Sequence, residues 1–161
     1  MAATRRPDGG VALVTLAQVR HEPLGPLPAT VFVVENPAVV AAALRRFGAV
    51  CPPVVCTAGW PSTAAILLLR GLAAAGAQLR YRGDIDGDGL RIAAHVMSKT
   101  TARPWLLGAD DYQRAVPVAG PPVGRVDHTP WDAHLAEAVR AHGVALLEEG
   151  VVDSLLADMS R

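Results

Sequence analysis

Lysine is nearly missing from this 161-residue chain. Lys99 stands alone, and the other fourteen of its fifteen basic side chains are arginine. Fifteen acids balance them to a net charge of zero. Without an excess of positive charge the chain does not coat nucleic acid by charge alone, although a local basic groove stays open to it. The chain is also rich in Ala, Gly and Pro, which fits a GC-rich genome, so the arginine count by itself carries no functional meaning. Aromatic residues make up only 4% of the chain, which leaves Ala, Val and Leu to build the core. Cys51 and Cys56 are the only cysteines. They are too few for a disulfide scaffold, and their spacing lacks the second pair of a zinc site, so both read as reduced thiols beside a strand. No apolar run approaches the ~18 residues of a membrane span, and no cleavable leader is recognisable. The expected location is therefore cytoplasmic, with no membrane partner. A Walker motif, a G-x-S-x-G elbow and a G-x-G-x-x-G fingerprint are all missing, which removes support for ATP hydrolysis, an α/β-hydrolase and a dinucleotide fold.

What is present is a hydrophobic fraction of 51%, ample for one folded domain of this length. Residues 1–10 read as a loose polar tail, and 11–161 as a single domain. VALVTL (11–16) reads as an edge strand, and the proline-rich stretch 22–30 as a connector. VFVVE (31–35) is a short continuous apolar run, as expected of a strand buried on both faces. Asn36-Pro37 then opens a helix predicted to run to Phe47 and to stop at Gly48. The same grammar predicts a strand at 53–57, a helix capped by Ser62 and stopped by Gly76, and a strand at 78–83. A helix starting near Asp88 and a last short strand at 104–107 follow. Residues 115–130 read as a loop. Thr129-Pro130 signals the start of an amphipathic helix from 131 to about 148, with Trp131, Leu135, Val139 and Leu146 near one face, and a further piece runs from 151 to 159. Alternating β and α elements with short links predict a three-layer α/β domain, with a mainly parallel four-stranded sheet and helices on both faces.

Open parallel sheets bind ligands beyond the carboxyl ends of their strands. Glu35 ends the first buried strand, Asp84 and Asp86 end the third, and Asp88 opens the helix after it. If these strands are neighbours, the carboxylates converge and raise one another's pKa. A divalent cation relieves that crowding, and Mg²⁺ needs only one or two carboxylates beside water and phosphate oxygens. The plainer reading is helix capping. It suits Asp88, but D-x-D-G-D-G holds more acids than one cap requires, and Asn36 already caps the helix after Glu35. An EF-hand loop is a poor fit, because counting from Asp84 puts His95 where the bidentate Glu belongs. The five histidines show no i, i+4 pair; His95 can approach the acids or simply face solvent. Arg80, Arg82 and Arg91 flank the acids and, with Ser62 at a helix start, are candidate phosphate contacts. Their ordinary roles would be ion pairing and capping.

VFVVENP and YRGDIDGDGLRIA together resemble the Toprim domain of topoisomerases, bacterial primases and related nucleases. The second segment, G-D-x-D-x-x-G-x-x-I, is most similar to the topoisomerase VI A subunit. ENPAVV, VVCTAGWPS, LRYRGDIDGDGLRIA and WDAHLAEAVRAHG…EEGVV look like the C-terminal module of an uncharacterised bacterial family, similar to the nuclease subunit of the Wadjet anti-plasmid systems. The resemblance spans roughly residues 11–159. It implies a Toprim fold and DNA cleavage dependent on Mg²⁺ or Mn²⁺. Glu35 would act in acid–base chemistry or on the metal, and Asp84 and Asp86 would bind the metal. Asp88 departs from the topoisomerase VI pattern, so its role as a further ligand is less defined. The implied partners are DNA and condensin-like proteins, and the chain could also form a homodimer. Neither Tyr81 nor Tyr112 matches the tyrosine with which topoisomerase VI relatives cut DNA, so water would have to attack. The alternative is a non-catalytic assembly or DNA-binding module that uses only the fold.

Overall fold

A computed structural model describes residues 10–12, 14–21 and 29–161. Most of the polar tail and of the proline-rich connector therefore lie outside the described residues. Four strands, β1 (Thr30–Val34), β2 (Val54–Cys56), β3 (Gln78–Tyr81) and β4 (Arg103–Pro104), form one sheet in the order β2-β1-β3-β4. Every pairing is parallel. Among the described residues seven α-helices accompany the sheet: α1 (Leu16–His21), α2 (Pro37–Phe47), α3 (Thr63–Ala74), α4 (Gly87–Lys99), α5 (Ala109–Ala115), α6 (Ala133–His142) and α7 (Val152–Met159). The predicted α/β class and parallel four-stranded sheet are thus the observed ones. None of the described helices is long and apolar enough to cross a membrane.

β1 lies in the middle of the sheet, and its Val31–Val34 run is buried. This is why it reads as unbroken apolar sequence rather than as an alternating pattern. From β1 the chain steps to β2 on one side, then crosses back to β3 and on to β4. Right-handed crossovers put α2 on one face of such a sheet and α3 and α4 on the other. α7 packs beside α2, and α5 against α6. The core is mainly aliphatic, with Val33, Leu69, Ile85, Leu135 and Leu155 fully buried. Its largest side chain is Trp105, which meets Phe32 at 4.7 Å between ring centroids and donates from its indole N–H to Asp158 at 2.7 Å.

The predicted caps over 31–76 are the observed ones. The Asn36 side chain accepts from Ala38 N–H at 2.9 Å, and the Ser62 hydroxyl accepts from Ala65 N–H at 3.2 Å. Gly48 follows α2 at φ +54°. Elsewhere the boundaries need correction. Residues 11–16 hold no strand in their described part; Leu16 instead begins α1. Thr15 and Gln18 cap that helix reciprocally, each side chain taking the other's main-chain N–H, a capping box that a run of apolar residues had disguised as a strand. β4 is shorter and earlier than 104–107, because Leu106 adopts φ +49° and turns the chain out of the sheet. The predicted 131–148 helix is likewise shorter. It starts at Ala133 under an Asp132 cap and ends at Gly143 in the left-handed region. Beyond it the chain is extended, and Leu146 exchanges two main-chain hydrogen bonds with Ile85.

Asp132 serves two helices. One carboxylate oxygen accepts from His134 N–H at 3.0 Å and the other from Ala109 N–H, at the start of α5, at 2.7 Å. The Ala109 bond is the main reason its pKa is held below the ordinary value. Asp132→Ala is expected to cost about 2 kcal/mol in urea unfolding, at the upper end for one cap because two helix starts lose their acceptor. The stabilisation is present above the ordinary aspartate pKa and is lost as pH falls through the depressed folded value. The variant and wild type should therefore converge in strong acid.

Candidate functional site

Parallel pairing of β1 with β3 places Val33 opposite Tyr81. Two residues further along each strand, Glu35 comes opposite Gly83, and Asp84 follows at once. The acids lie far apart in sequence and meet because neighbouring strands are only ~4.8 Å apart. Gly83 makes the approach possible. A Cβ there would lie 2.9 Å from Glu35 Oε2 and 3.0 Å from the Tyr81 hydroxyl. Asp86 is the cap of α4, its Oδ1 accepting from Gly89 N–H at 2.8 Å. Capping thus falls to Asp86, not to Asp88. Asp88 is exposed in the first turn of α4 and pairs with Arg91.

The electrostatics of this rim follow from crowding. Glu35 is pushed up to about 7, first by burial and then by the charges of Asp84 and Asp86, against a smaller lowering by the Asp84 main-chain N–H. Its Oε2 is buried with no hydrogen-bond partner. Asp84 is also raised, chiefly by burial, although Glu148 N–H donates to its Oδ1 at 2.7 Å and opposes the shift. Glu35, Asp84 and Asp86 therefore share one edge of the sheet and act on one another.

A fourth acid, Glu148, belongs to the same cluster and was not among the residues singled out from sequence. It opens a 3-10 helix (Glu148–Val151) and is fully buried. Its carboxylate accepts from Asn36 N–H at 2.6 Å and from Glu35 N–H at 3.2 Å. Burial pushes its pKa up to about 8, opposed by those two N–H groups and by Arg82. Behind it lie Tyr81 and Arg82, both buried, with the Tyr81 hydroxyl and the Arg82 Nε and Nη2 lacking partners. Burial lowers the Arg82 pKa, while the Glu148, Asp111 and Asp84 charges hold it up.

Arg82 is enclosed and donates to the Leu106 carbonyl, so it offers no surface to a phosphate. Arg80 pairs with Asp158 at 2.9 Å and lies over the Phe32 and Trp105 rings. Arg91 holds Asp88 and the Arg125 carbonyl. Ser62 caps α3. His95 stands edge-on to Trp60 at 5.4 Å rather than among the acids. Tyr81 and Tyr112 are both buried, and the Tyr112 hydroxyl donates to the Val144 carbonyl at 2.6 Å. Cys51 and Cys56 are free and half-buried, with the Cys56 thiol 3.4 Å from the Glu35 carbonyl.

Residues 12–159 match the family model described as "Protein of unknown function C-terminus (DUF2399)". The chain belongs to this family. A search of curated proteins found no match. In this DUF2399 domain the two segments that carry the acids lie at adjacent strand ends, and the matched region takes in Glu148 as well.

Whether the rim suits a divalent cation depends on its donors. All are carboxylate oxygens, the hard ligands Mg²⁺ and Mn²⁺ prefer. Asp84 and Asp86 each use Oδ1 for a main-chain N–H, which leaves Oδ2 of each, and Glu35 has an oxygen without a partner. Among the described residues no group of three or more His, Cys, Asp or Glu side chains is arranged to hold a metal ion. The donor set therefore fits a cation held by one or two carboxylates, with water and phosphate completing its shell, and not a protein cage.

Proposed function

We propose that this domain is a Toprim-like module that cleaves DNA phosphodiester bonds with the aid of Mg²⁺ or Mn²⁺. The observation that carries the reading is the meeting of Glu35 with Asp84 and Asp86 at the carboxyl edge of β1 and β3, which leaves a carboxyl group titrating at about 7. Asp84 and Asp86 would hold the metal through their free oxygens. A bound divalent cation would polarise the phosphodiester and stabilise the departing oxygen. Glu35, whose carboxyl pKa is raised chiefly by burial and which lies beside the pair that would hold the cation, would take the proton from the attacking water. Water is the nucleophile in this reading because both tyrosine hydroxyls are enclosed. Asp88, already paired with Arg91, would lie outside the working set.

The sequence resemblance to the topoisomerase VI A subunit and to the Wadjet nuclease subunit supports the substrate class and suggests condensin-like partners in anti-plasmid defence. Zero net charge supports the same division of labour. Affinity for DNA grows with the number of phosphates neutralised, and Arg80, Arg82 and Arg91 are already engaged within the fold. Partner subunits would then supply most of the phosphate contacts.

The test is nicking of supercoiled DNA with Mg²⁺ or Mn²⁺. Wild type should cut and Asp84→Ala should not. Mn²⁺ should raise the melting temperature of wild type but not of Asp84→Asn, since a ligand bound only by the folded state stabilises it. Equal cutting by wild type and Asp84→Ala would assign the activity to a contaminant. Because among the described residues no three acids form a ready metal cage, the competing reading is an assembly module that keeps the fold without the chemistry. Absence of both cutting and Mn²⁺ stabilisation would favour that reading.

A further inference from the structure

We infer that Glu148 is a positioning residue that clamps the two acid-bearing strand ends into one rim. The inference rests on the cleavage reading for its consequence, but its geometry stands independently of it. One side of the clamp is the Glu148 carboxylate, which accepts from the main-chain N–H groups of Glu35 and Asn36, the residues that leave β1. The other side is the Glu148 main-chain N–H, which donates to Asp84 Oδ1 beyond β3. A single residue thus fixes the backbone that carries Glu35 and the side-chain orientation of Asp84.

The neighbouring residues reinforce both sides. Glu149 accepts from the Asn36 side-chain amide at 2.5 Å. Leu146 and Ile85 exchange main-chain bonds of 2.9 and 3.1 Å, which lays the segment before Glu148 alongside Asp84-Ile85-Asp86. The β1–α2 junction would otherwise leave the Glu35 N–H unpaired, and a buried unpaired amide is costly. A buried glutamate is itself a costly way to supply an acceptor. An apolar residue could fill the same volume, but it could not hold the two N–H groups. The Glu148 carboxylate is taken up by the Glu35 and Asn36 main-chain N–H groups and its own N–H by Asp84, so it acts through Glu35 and Asp84.

The experiment uses the whole chain, with Glu148→Gln, Glu148→Ala and, as a control for lost stability, Leu72→Ala, which removes a buried side chain at the end of α3, beside the amino edge of the sheet where the Leu72 carbonyl accepts from Ala77 N–H. Three quantities are read well below every melting temperature: amide hydrogen exchange at Glu35 and Asn36, Mn²⁺ affinity, and kcat and KM for nicking. Loss of a group that orients metal ligands typically costs about 10–100-fold in affinity or activity. Glu148→Ala should fall in that range in Mn²⁺ affinity and kcat and should lose protection selectively at residues 35 and 36. Glu148→Gln, which keeps one acceptor oxygen, should recover part of the loss. Leu72→Ala should lower the melting temperature while leaving Mn²⁺ affinity and kcat near wild type.

If Glu148→Ala binds Mn²⁺ and cuts as wild type does while only its stability falls, Glu148 is an ordinary structural residue and the inference is wrong. If wild type itself neither binds Mn²⁺ nor cuts, the cleavage reading fails and the clamp is judged by exchange alone. Selective loss of protection at residues 35 and 36 would then support it, and unchanged protection would overturn it.

Discussion

Glu35→Gln is expected to cut the proposed metal-dependent cleavage by orders of magnitude and, in the same protein, to raise the melting temperature above pH 7. The two effects share one cause. Glu35 sits beside Asp84 and Asp86 and is raised from 4.5 to about 7 by burial and by their charges. The folded state thus keeps a proton that the unfolded chain gives up near pH 4.5. Stability contributed in this way is present below that value and is lost as pH rises through about 7. Glu148, raised to about 8, extends the loss in the same direction.

Glutamine has the shape of a protonated glutamate and cannot ionise. With chelator present, the variant should melt within error of wild type at pH 5 and a few degrees above it at pH 8. Mg²⁺ should narrow or reverse the difference by stabilising wild type alone. A group that moves protons in the transition state contributes about 10²–10⁴-fold in rate, and cleavage should fall by that much. A melting temperature at pH 8 equal to or below that of wild type would contradict the crowding of these carboxylates, whatever happened to the activity.

Gly89→Ala should be among the most destabilising small substitutions in the protein, although alanine ordinarily improves a helix by roughly 1 kcal/mol over glycine. Gly89 is in the first turn of α4, where a Cβ would lie 2.2 Å from the Asp84 carbonyl oxygen and 2.9 Å from its carbon. These are main-chain atoms of the loop that carries the acids, so no side chain can swing aside. The clash must move Asp84 or tilt the start of α4. Overpacking of this kind costs ~1–3 kcal/mol and occasionally more, and here it outweighs the gain in propensity. Gly87→Ala meets the Arg125 carbonyl oxygen at 2.1 Å and should behave alike. Gly150→Ala has nothing within 4 Å and serves as the control, with a change of about 0.5 kcal/mol or less expected at a surface site. Urea unfolding of the three variants checks the order. Gly89→Ala should also weaken Mn²⁺ binding, because the displaced atoms belong to Asp84. A Gly89→Ala protein as stable as wild type would mean that the loop and helix pack less closely than described.

Much of this site could be read in the amino acids because its parts announce themselves locally. Glu35 ends an apolar run and is followed by a cap and a proline. Asp84 and Asp86 stand between a strand and a glycine-rich helix start. Their meeting was conditional on β1 and β3 being neighbours, which the sheet order supplies. Glu148 gave no such signal. It is one of two adjacent glutamates in a short 3-10 turn, and its partners lie 112 and 113 residues away. Only the tertiary fold separates it from the more exposed Glu149.

Tyr81 and Arg82 were legible as residues but not as buried ones, because alternation along β3 predicts faces and not what covers them. Leu146 was assigned to a helical face on spacing alone. Gly143 ends that helix first, and the leucine lies against Ile85 instead. α5 was missed because it has only seven residues, and one of its start acceptors, Asp132, comes from a distant segment.

The long chain separation between Glu148 and Asn36 also bears on synthesis. All four strands have left the ribosome well before residue 148 does, so the sheet can assemble on a nascent chain that still lacks its clamp. Over that interval the β1 and β3 ends are paired as strands but lack the Glu148 bonds to Glu35, Asn36 and Asp84. On the proposed cleavage reading, an emerging polypeptide would therefore gain its cutting geometry only once the segment carrying Glu148 folds back onto the sheet.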